Sequence, residues 1–516
     1  MGMSESFSQD QPDSIRVPSA GTTGVKVFPV RPLQAIGSMA LLAGLSVWFL
    51  AIRAPLWQDE TSSYWQISAG FWRIMARRGQ VSAVYPYILW FATRIVGTSE
   101  AGLRIPSVLA MLAAVYVLYR AAEELFGRDV ALVTVVLFSI HPLVVFSSID
   151  ARPYAFGILA INTAIFLVVK LRHSNSLWLA VAFGVCAGAI THFHLLFGTI
   201  LPILALCLVV PKRSAPGVLW RQLGVAVGAF VLVFLPLIPD TLFLFHDRHM
   251  YVFEKVTPTL ADLGRTMAPG ALPYVFAGAL LIAAATKRVD LHGPVDGWRA
   301  FLSTSTGLVP LLVLYGVSAA TPTNVFVERY RLVAIPGIAL GWGLVVSRID
   351  SRILRTLICV ALVSIACYQY LSSPYGRRHK WSWKYALELA EKNAAFDHAP
   401  VLICSDFPSS DYFPMPACER LKDSSFFTPL SYYKLSVPVV GLPRALNEQA
   451  IRIGTDFVRQ AALQHERFLA IAWVPSYDTL HWLNYIASET HEVRVLGQPD
   501  GVVVLEFTPR GSLKVN

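Results

Sequence analysis

The sequence predicts an α-helical polytopic membrane protein with about eleven transmembrane helices and a small C-terminal α/β soluble domain. Three observations predict it. Hydrophobic residues make up 55% of the chain and charged residues only 15%, whereas a soluble domain carries roughly a quarter. Apolar runs near spanning length recur up to about residue 372 and then stop. The cations recur in short loops between those runs instead of clustering on one basic face, which is how charge orients helices in a bilayer. That distribution also argues against nucleic acid as a partner, despite a formal net charge of +10.

Crossing roughly 30 Å of hydrocarbon at about 1.5 Å per residue takes about 20 mostly apolar residues. Runs near that length lie at about 33–52, 104–124, 129–147, 154–171, 177–191, 194–210, 219–239, 270–287, 301–320, 330–347 and 352–372. Residues 1–32 lack an apolar core and are rich in Ser, Gln, Asp and Pro. They read as a disordered cytoplasmic tail, not a cleaved signal. A twelfth segment, Ala83–Gly97, is shorter and contains Pro86 and Arg94. If it does not cross and the N-terminus is cytoplasmic, every basic loop falls inside. These loops hold Lys170, Arg172 and His173; Lys212, Arg213 and Arg221; Lys287, Arg288 and Arg299; and Arg348, Arg352 and Arg355. If it does cross, all of them fall outside, against the positive-inside bias. The segment therefore reads as a juxtamembrane or re-entrant helix. The outer face then receives 53–103, the turns 147–153, 191–194 and 321–329, the loop 240–269, and everything from about 373 to 516.

That last stretch reads as globular. Val401–Ser405 and Phe468–Val474 are short runs rich in β-formers, Asn447–Leu463 and Asp478–Ala487 have helical spacing, and Glu492–Phe507 suggests a hairpin around Pro499-Asp500-Gly501. Four cysteines, Cys186, Cys207, Cys359 and Cys367, fall in apolar runs and read as small buried residues. Cys404 and Cys418 are free to pair if the tail faces an oxidising compartment.

The chemistry-bearing residues lie in the outer loops. The first begins Trp57-Gln-Asp59-Glu60-Thr-Ser-Ser-Tyr64. Two adjacent carboxylates here fit a solvated helix end. They also fit a general base, because partial burial beside apolar rings raises a carboxylate pKa, or a ligand for a divalent cation. The turn Asp150-Ala-Arg152-Pro-Tyr154 reads as an ion pair topping two helices, or as a phosphate grip through the planar guanidinium. Val327-Glu-Arg329-Tyr330-Arg331 presents cations that either snorkel to headgroups or meet the same ligand. The loop 240–269 carries Lys255, and His246 and His249 at a spacing that suits one helical face. His192 and His194 read as helix-end residues.

In their order along the chain these features resemble the GT-C glycosyltransferases, which take a sugar from a polyprenyl-phosphate donor. The resemblance rests on Trp57-Gln-Asp59-Glu60, on Tyr85-Pro86-Tyr87-Ile-Leu-Trp90, and on Ser99-Glu100-Ala-Gly-Leu-Arg104-Ile-Pro106. It continues through Phe126-Gly127, His141-Pro142, Asp150–Tyr154, and Glu328-Arg329-Tyr330-Arg331 running to Pro336. It covers about residues 35–350 and is nearest the bacterial lipopolysaccharide-core and aminoarabinose transferases, a branch related to protein O-mannosyltransferases. That implies a bacterial inner membrane with a periplasmic tail. It also implies a domain division into the tail 1–32, a catalytic membrane domain 33–372 and an outer α/β domain 373–516.

The resemblance further implies that Asp59 is the general base and that Glu60 positions the acceptor or the base. Arg152, Arg329 and Lys255 would neutralise the departing polyprenyl phosphate, and a single displacement would invert the anomeric centre. Tyr64, Tyr85, Arg104, Asp150, Tyr154 and Tyr330 complete the expected substrate-binding set. Some members of the superfamily use a divalent metal and others do not, so a metal ion stands as an open cofactor, with Asp59, His246 and His249 as candidate ligands. The partners implied are the lipid-linked donor, membrane lipids, and a glycan, lipid or protein acceptor. A transporter or flippase of lipid-linked saccharides is the alternative. It would place ionisable residues at mid-membrane in two matching halves, whereas here they gather on one face.

Overall fold

The computed structural model describes residues 32–76, 82–210, 219–246, 257–289, 296–372, 382–473 and 476–511. The expected N-terminal tail, Lys212, Arg213, Lys255 and His249 lie outside the described residues. Among those described, seven helices are long and apolar enough to cross a membrane: Pro32–Ala51, Glu100–Phe126, Tyr154–Leu171, Trp220–His246, Gly297–Ala320, Glu328–Val346 and Arg352–Ser372. Two bent pairs add to these, Arg128–Ile140 with Pro142–Ser148 at 70° and Leu260–Met267 with Leu272–Ala285 at 59°. Leu177–Phe193 and Leu195–Val209 are shorter apolar helices. Each apolar run of the sequence is thus helical, but four of the eleven are bent or short. The first bend has a local cause: His141 is extended (ψ 130°) ahead of Pro142, which has no N–H to donate and disfavours helix before it. This bend feeds the turn that carries Asp150 and Arg152.

The segment 83–97 forms the helix Tyr85–Val96. Its 12 residues reach about 18 Å, less than a hydrocarbon core. It buries Tyr85, Pro86, Leu89 and Thr93 and exposes Phe91 and Ile95, an amphipathic division suited to an interface. With Gln58–Ser68 and Phe71–Ala76 it makes up the first loop.

Helix Glu100–Phe126 separates two ends of the bundle. Basic residues collect at its C-terminal end. Lys170 meets Glu124 at 2.5 Å, Arg299 donates to the Leu125 carbonyl at 2.6 Å, Arg172 donates to the Leu208 carbonyl at 3.2 Å, and Arg352 pairs with Asp129 at 2.9 Å. The first loop and the C-terminal domain lie at the other end.

Helix Glu328–Val346 delivers Arg329 to that second end. Its position depends on a close crossing with Gly297–Ala320, where Gly337 meets Gly307. A Cβ on Gly337 would stand 2.1 Å from the Gly307 nitrogen and 2.3 Å from the Thr306 carbonyl carbon. Both are backbone atoms, so no rotamer change relieves the clash. Gly337→Ala is therefore expected to cost at least about 1–3 kcal/mol. The loss should appear as a lower melting temperature of the detergent-solubilised chain.

The C-terminal domain holds a five-stranded sheet in the order β2-β1-β3-β5-β4, with β1 Val401–Cys404, β2 Val439–Leu442, β3 Phe468–Trp473, β4 His491–Gly497 and β5 Val502–Pro509. β1 pairs parallel with β2 and β3, and β5 runs antiparallel to both β3 and β4. Helices Glu448–Gln464 and Tyr477–Ala487 match the helical spacing of the sequence. Two elements carried no sequence signal: β2, only four residues long and containing Gly441, and helix Lys384–Ala394. Cys404 is buried at the end of β1 and Cys418 is exposed, and the two are unpaired.

The domain rests on the first loop. Leu56 N donates to Tyr433 Oη at 2.6 Å, Thr61 Oγ1 meets Thr428 Oγ1 at 2.9 Å, and Trp65 Nε1 donates to the Asp423 carbonyl at 3.0 Å. Lys384 meets Glu100 at 3.3 Å. Trp57 and Ser382 form an isolated antiparallel bridge.

Candidate active site

The site begins with the first turn of helix Gln58–Ser68. Two carboxylates there are favoured by the positive end of the helix dipole. Adjacent helical residues point about 100° apart, so Asp59 and Glu60 separate. Glu60 turns inward and is completely buried. Its carboxylate takes Arg104 Nε at 2.7 Å and Nη2 at 2.5 Å, the Ala151 amide at 2.9 Å and the Trp57 amide at 3.2 Å. Arg104, also fully buried, spends its remaining donors on the carbonyls of Ala51, Ile52, Ala54 and Pro55. A buried charge survives only when paired and hydrogen-bonded, and this pair is.

Glu60, expected to position the acceptor or the base, and Arg104, expected in the substrate set, are placed by the structure in this buried pair beside Asp59. Together they clamp the chain between the first span and the first-loop helix. Asp150 is likewise buried, accepting the Trp57 indole at 3.0 Å, which ties the second turn to the first loop.

Asp59 faces the other way and keeps 19% of its side-chain surface exposed. Arg329, 270 residues away, donates to Asp59 Oδ2 at 2.9 Å. Arg152 donates to the backbone carbonyl of Asp59 at 3.1 Å and to Ser63 Oγ at 3.4 Å. Tyr330 lies under Arg329, at 5.3 Å from Cζ to ring centre, and Tyr154 near Arg152 at 6.0 Å. The structure thus brings Asp59, Arg152, Tyr154, Arg329 and Tyr330 together.

Tyr64 lies apart from that group, whereas the buried Tyr85 hydroxyl comes near Arg152 and Asp150. Tyr64 packs edge-on against Tyr432 of the C-terminal domain at 4.9 Å, and Tyr85 is buried against Phe156 at 5.9 Å. His246 is exposed at a helix end. Among the described residues no group of three His, Cys, Asp or Glu side chains gathers to hold a metal, and Asp59 Oδ2 is already turned to a guanidinium.

Two groups that sequence reading passed over belong to the site. His194 stands at the break between Leu177–Phe193 and Leu195–Val209 and is buried. Its ring packs against Tyr330 at 4.7 Å, Phe197 at 5.3 Å and Tyr154 at 5.7 Å. Burial, with Arg329 and Arg152 nearby, pushes its pKa down to about 3, so the imidazole is neutral. The other is Asp406, just beyond β1, which accepts the Trp383 indole at 3.1 Å. Burial pushes its carboxyl up to about 8, and the nearby charge of Asp59 adds to the rise. Neither had a signal: one was a His at a helix end, the other an Asp in a polar stretch.

Asp406 supports a pH prediction. Its folded pKa lies above the unfolded value near 3.8. Between about pH 4 and 8 the folded state therefore binds the extra proton, and stability falls as pH rises through that window. Asp406→Asn keeps an acceptor for Trp383 and removes this loss. Between pH 5 and 8 the melting temperature of the variant should fall less than that of the wild type.

Residues 80–239 match the family described as dolichyl-phosphate-mannose-protein mannosyltransferase. This stretch contains Arg104, Asp150–Tyr154 and His194 but neither Asp59 nor Arg329. No curated protein matches the chain by sequence. By fold, the chain is similar to crystal structures of ArnT from Cupriavidus metallidurans. The apo structure gives a TM-score of 0.53 at 12% identity, covering 92% of this chain and 98% of that one. The structure bound to undecaprenyl phosphate gives 0.50 at 12% identity, covering 91% and 97%. The chain is a polytopic membrane protein that shares the fold of these ArnT structures. Within that fold the Asp59 cluster lies at the junction of the helical bundle and the C-terminal domain, with residues drawn from five separate segments.

Proposed function

We propose that the chain is a glycosyltransferase that moves a sugar from a polyprenyl-phosphate donor to an acceptor on the outer face of the membrane. The observation that carries this reading is the convergence on Asp59 of two arginines distant in sequence. One, Arg329, holds the carboxylate, and the other, Arg152, holds the backbone of the same residue. A partly exposed carboxylate flanked by cations suits a base working beside a phosphate leaving group.

In the proposed reaction Asp59 takes the proton of an acceptor hydroxyl or amine. The freed electron pair forms the new bond to the anomeric carbon, and the carbon–oxygen bond to phosphate breaks with its electrons remaining on the phosphate. The configuration inverts because attack and departure occur on opposite faces. Charge grows on the leaving phosphate, so Arg152 and Arg329 stabilise the transition state more than the ground state. Lys255, outside the described residues, would add a third cation. The matched family and the ArnT structure holding undecaprenyl phosphate support a polyprenyl-phosphate donor. The acceptor is a glycan, lipid or protein. The basic loops at the far end of the bundle support a cytoplasmic N-terminus in a bacterial inner membrane, with the Asp59 face periplasmic.

The test is direct. Purified chain in lipid nanodiscs is incubated with polyprenyl-phosphate sugars and extracted envelope acceptors, and the product is read by mass spectrometry and NMR. Transfer with an inverted anomeric centre is expected. Retention of configuration would overturn the single displacement, and transport of the donor without transfer would overturn the enzyme.

A further inference from the structure

We propose that His194 is a direct ligand of the donor, with a ring N–H that donates to a phosphate oxygen lying between Arg152 and Arg329. The proposal rests on the polyprenyl-phosphate reading above and adds a binding residue to that site.

The geometry points there for three reasons. His194 is 3% exposed, yet neither ring nitrogen has a hydrogen-bond partner. An unmade hydrogen bond on a buried polar group costs about 1–3 kcal/mol, so such groups are rare in native proteins unless a ligand or water completes them. His192, two residues earlier, shows the ordinary outcome: its Nε2 meets the Val233 carbonyl at 2.6 Å.

Second, the ring is held in place. Tyr154, Phe197 and Tyr330 pack around it, so the unpaired nitrogens sit on a rigid side chain. Third, the neighbours select the charge of what arrives. Arg152 and Arg329 oppose a proton on the imidazole, and the same field attracts an anion. An anionic acceptor satisfies the imidazole N–H and both guanidinium groups at once, which a neutral sugar hydroxyl does not. Tyr330, which touches His194 on one side and Arg329 on the other, links this phosphate position to the Asp59 carboxylate.

The experiment measures binding, so it does not depend on finding the acceptor. The full chain in phosphatidylcholine nanodiscs is titrated with undecaprenyl phosphate, and its intrinsic tryptophan fluorescence is followed. A parallel titration uses phosphatidylglycerol, a lipid phosphate with no polyprenyl chain. His194→Phe keeps the aromatic packing and removes the donor. His194→Gln restores an N–H at similar reach.

We expect H194F to weaken undecaprenyl phosphate about tenfold or more with an unchanged melting temperature, H194Q to recover most of the affinity, and phosphatidylglycerol not to compete. Equal affinity in H194F and wild type overturns the role of His194 while leaving the proposed function standing. Equal binding of phosphatidylglycerol overturns the donor as ligand in favour of a general lipid headgroup. Absence of undecaprenyl phosphate binding in the wild type overturns the proposed function itself, and the inference with it. If H194F does not fold, H194M against H194Q carries the same comparison.

Discussion

Asp59→Asn is expected to lower the turnover number for sugar transfer by about 10²–10⁴-fold, the usual contribution of a positioned general base, while the chain stays folded. The substitution removes the acid–base function and little else. The Asn side-chain oxygen can still accept from Arg329, and the Asp59–Arg329 pair is partly exposed, at 19% and 14%, so its loss costs far less than that of a buried pair. The backbone carbonyl that receives Arg152 is untouched. The KM for the donor should therefore change little, because the phosphate contacts are on other residues. Rates measured under saturating donor, together with melting curves, check this. Full activity in a well-folded variant would remove Asp59 from the mechanism, and a matched fall in activity and melting temperature would make it a structural residue.

Arg104→Met should act in the opposite manner, on the fold before the chemistry. Removing one partner of a buried ion pair costs about 3–5 kcal/mol, because the other charge is left uncompensated. Here Glu60 would lose its cation, and the carbonyls of Ala51, Ile52, Ala54 and Pro55 would lose their donor. The expected result is a large fall in melting temperature and poor recovery of monodisperse protein. Glu60→Gln introduced into the Arg104→Met background should destabilise by less than the two single effects summed, since the pair acts as one unit. If Arg104 touched substrate instead, the variant would melt normally and raise KM for the donor. Melting and KM measured on the same preparation separate the two roles.

The residues that sequence reading placed correctly share one property: their signal is local. An apolar run is visible as a run, and all eleven appear as helices. The alternation of apolar strands and helical spacing in 401–507 appears as the sheet and two of its helices. Asp59, Arg152 and Arg329 stood out because charge is costly at a membrane surface unless it has a use. What the sequence left open was the assignment of partners. Asp59 and Glu60 are neighbours of the same chemistry, and nothing in their order says which faces solvent. The 100° step of the helix and the reach of Arg104 decide it. His194 looked like a helix end because only the folded bundle shows Tyr154, Tyr330 and two arginines around it with no backbone acceptor in reach. Asp406 belongs to another domain and reaches the site because that domain docks on the first loop, through the Trp57–Ser382 bridge and the Tyr433, Thr428 and Asp423 contacts.

By itself, then, the sequence determined the solvent of each segment and the short list of charged loops, because burial in lipid and helix length act through composition and spacing along the chain. The tertiary structure alone decided which charges neutralise one another and which remain for a ligand. Hydrogen bonds and ion pairs act over about 3 Å, and the residues that meet at Asp59 come from segments up to 270 positions apart.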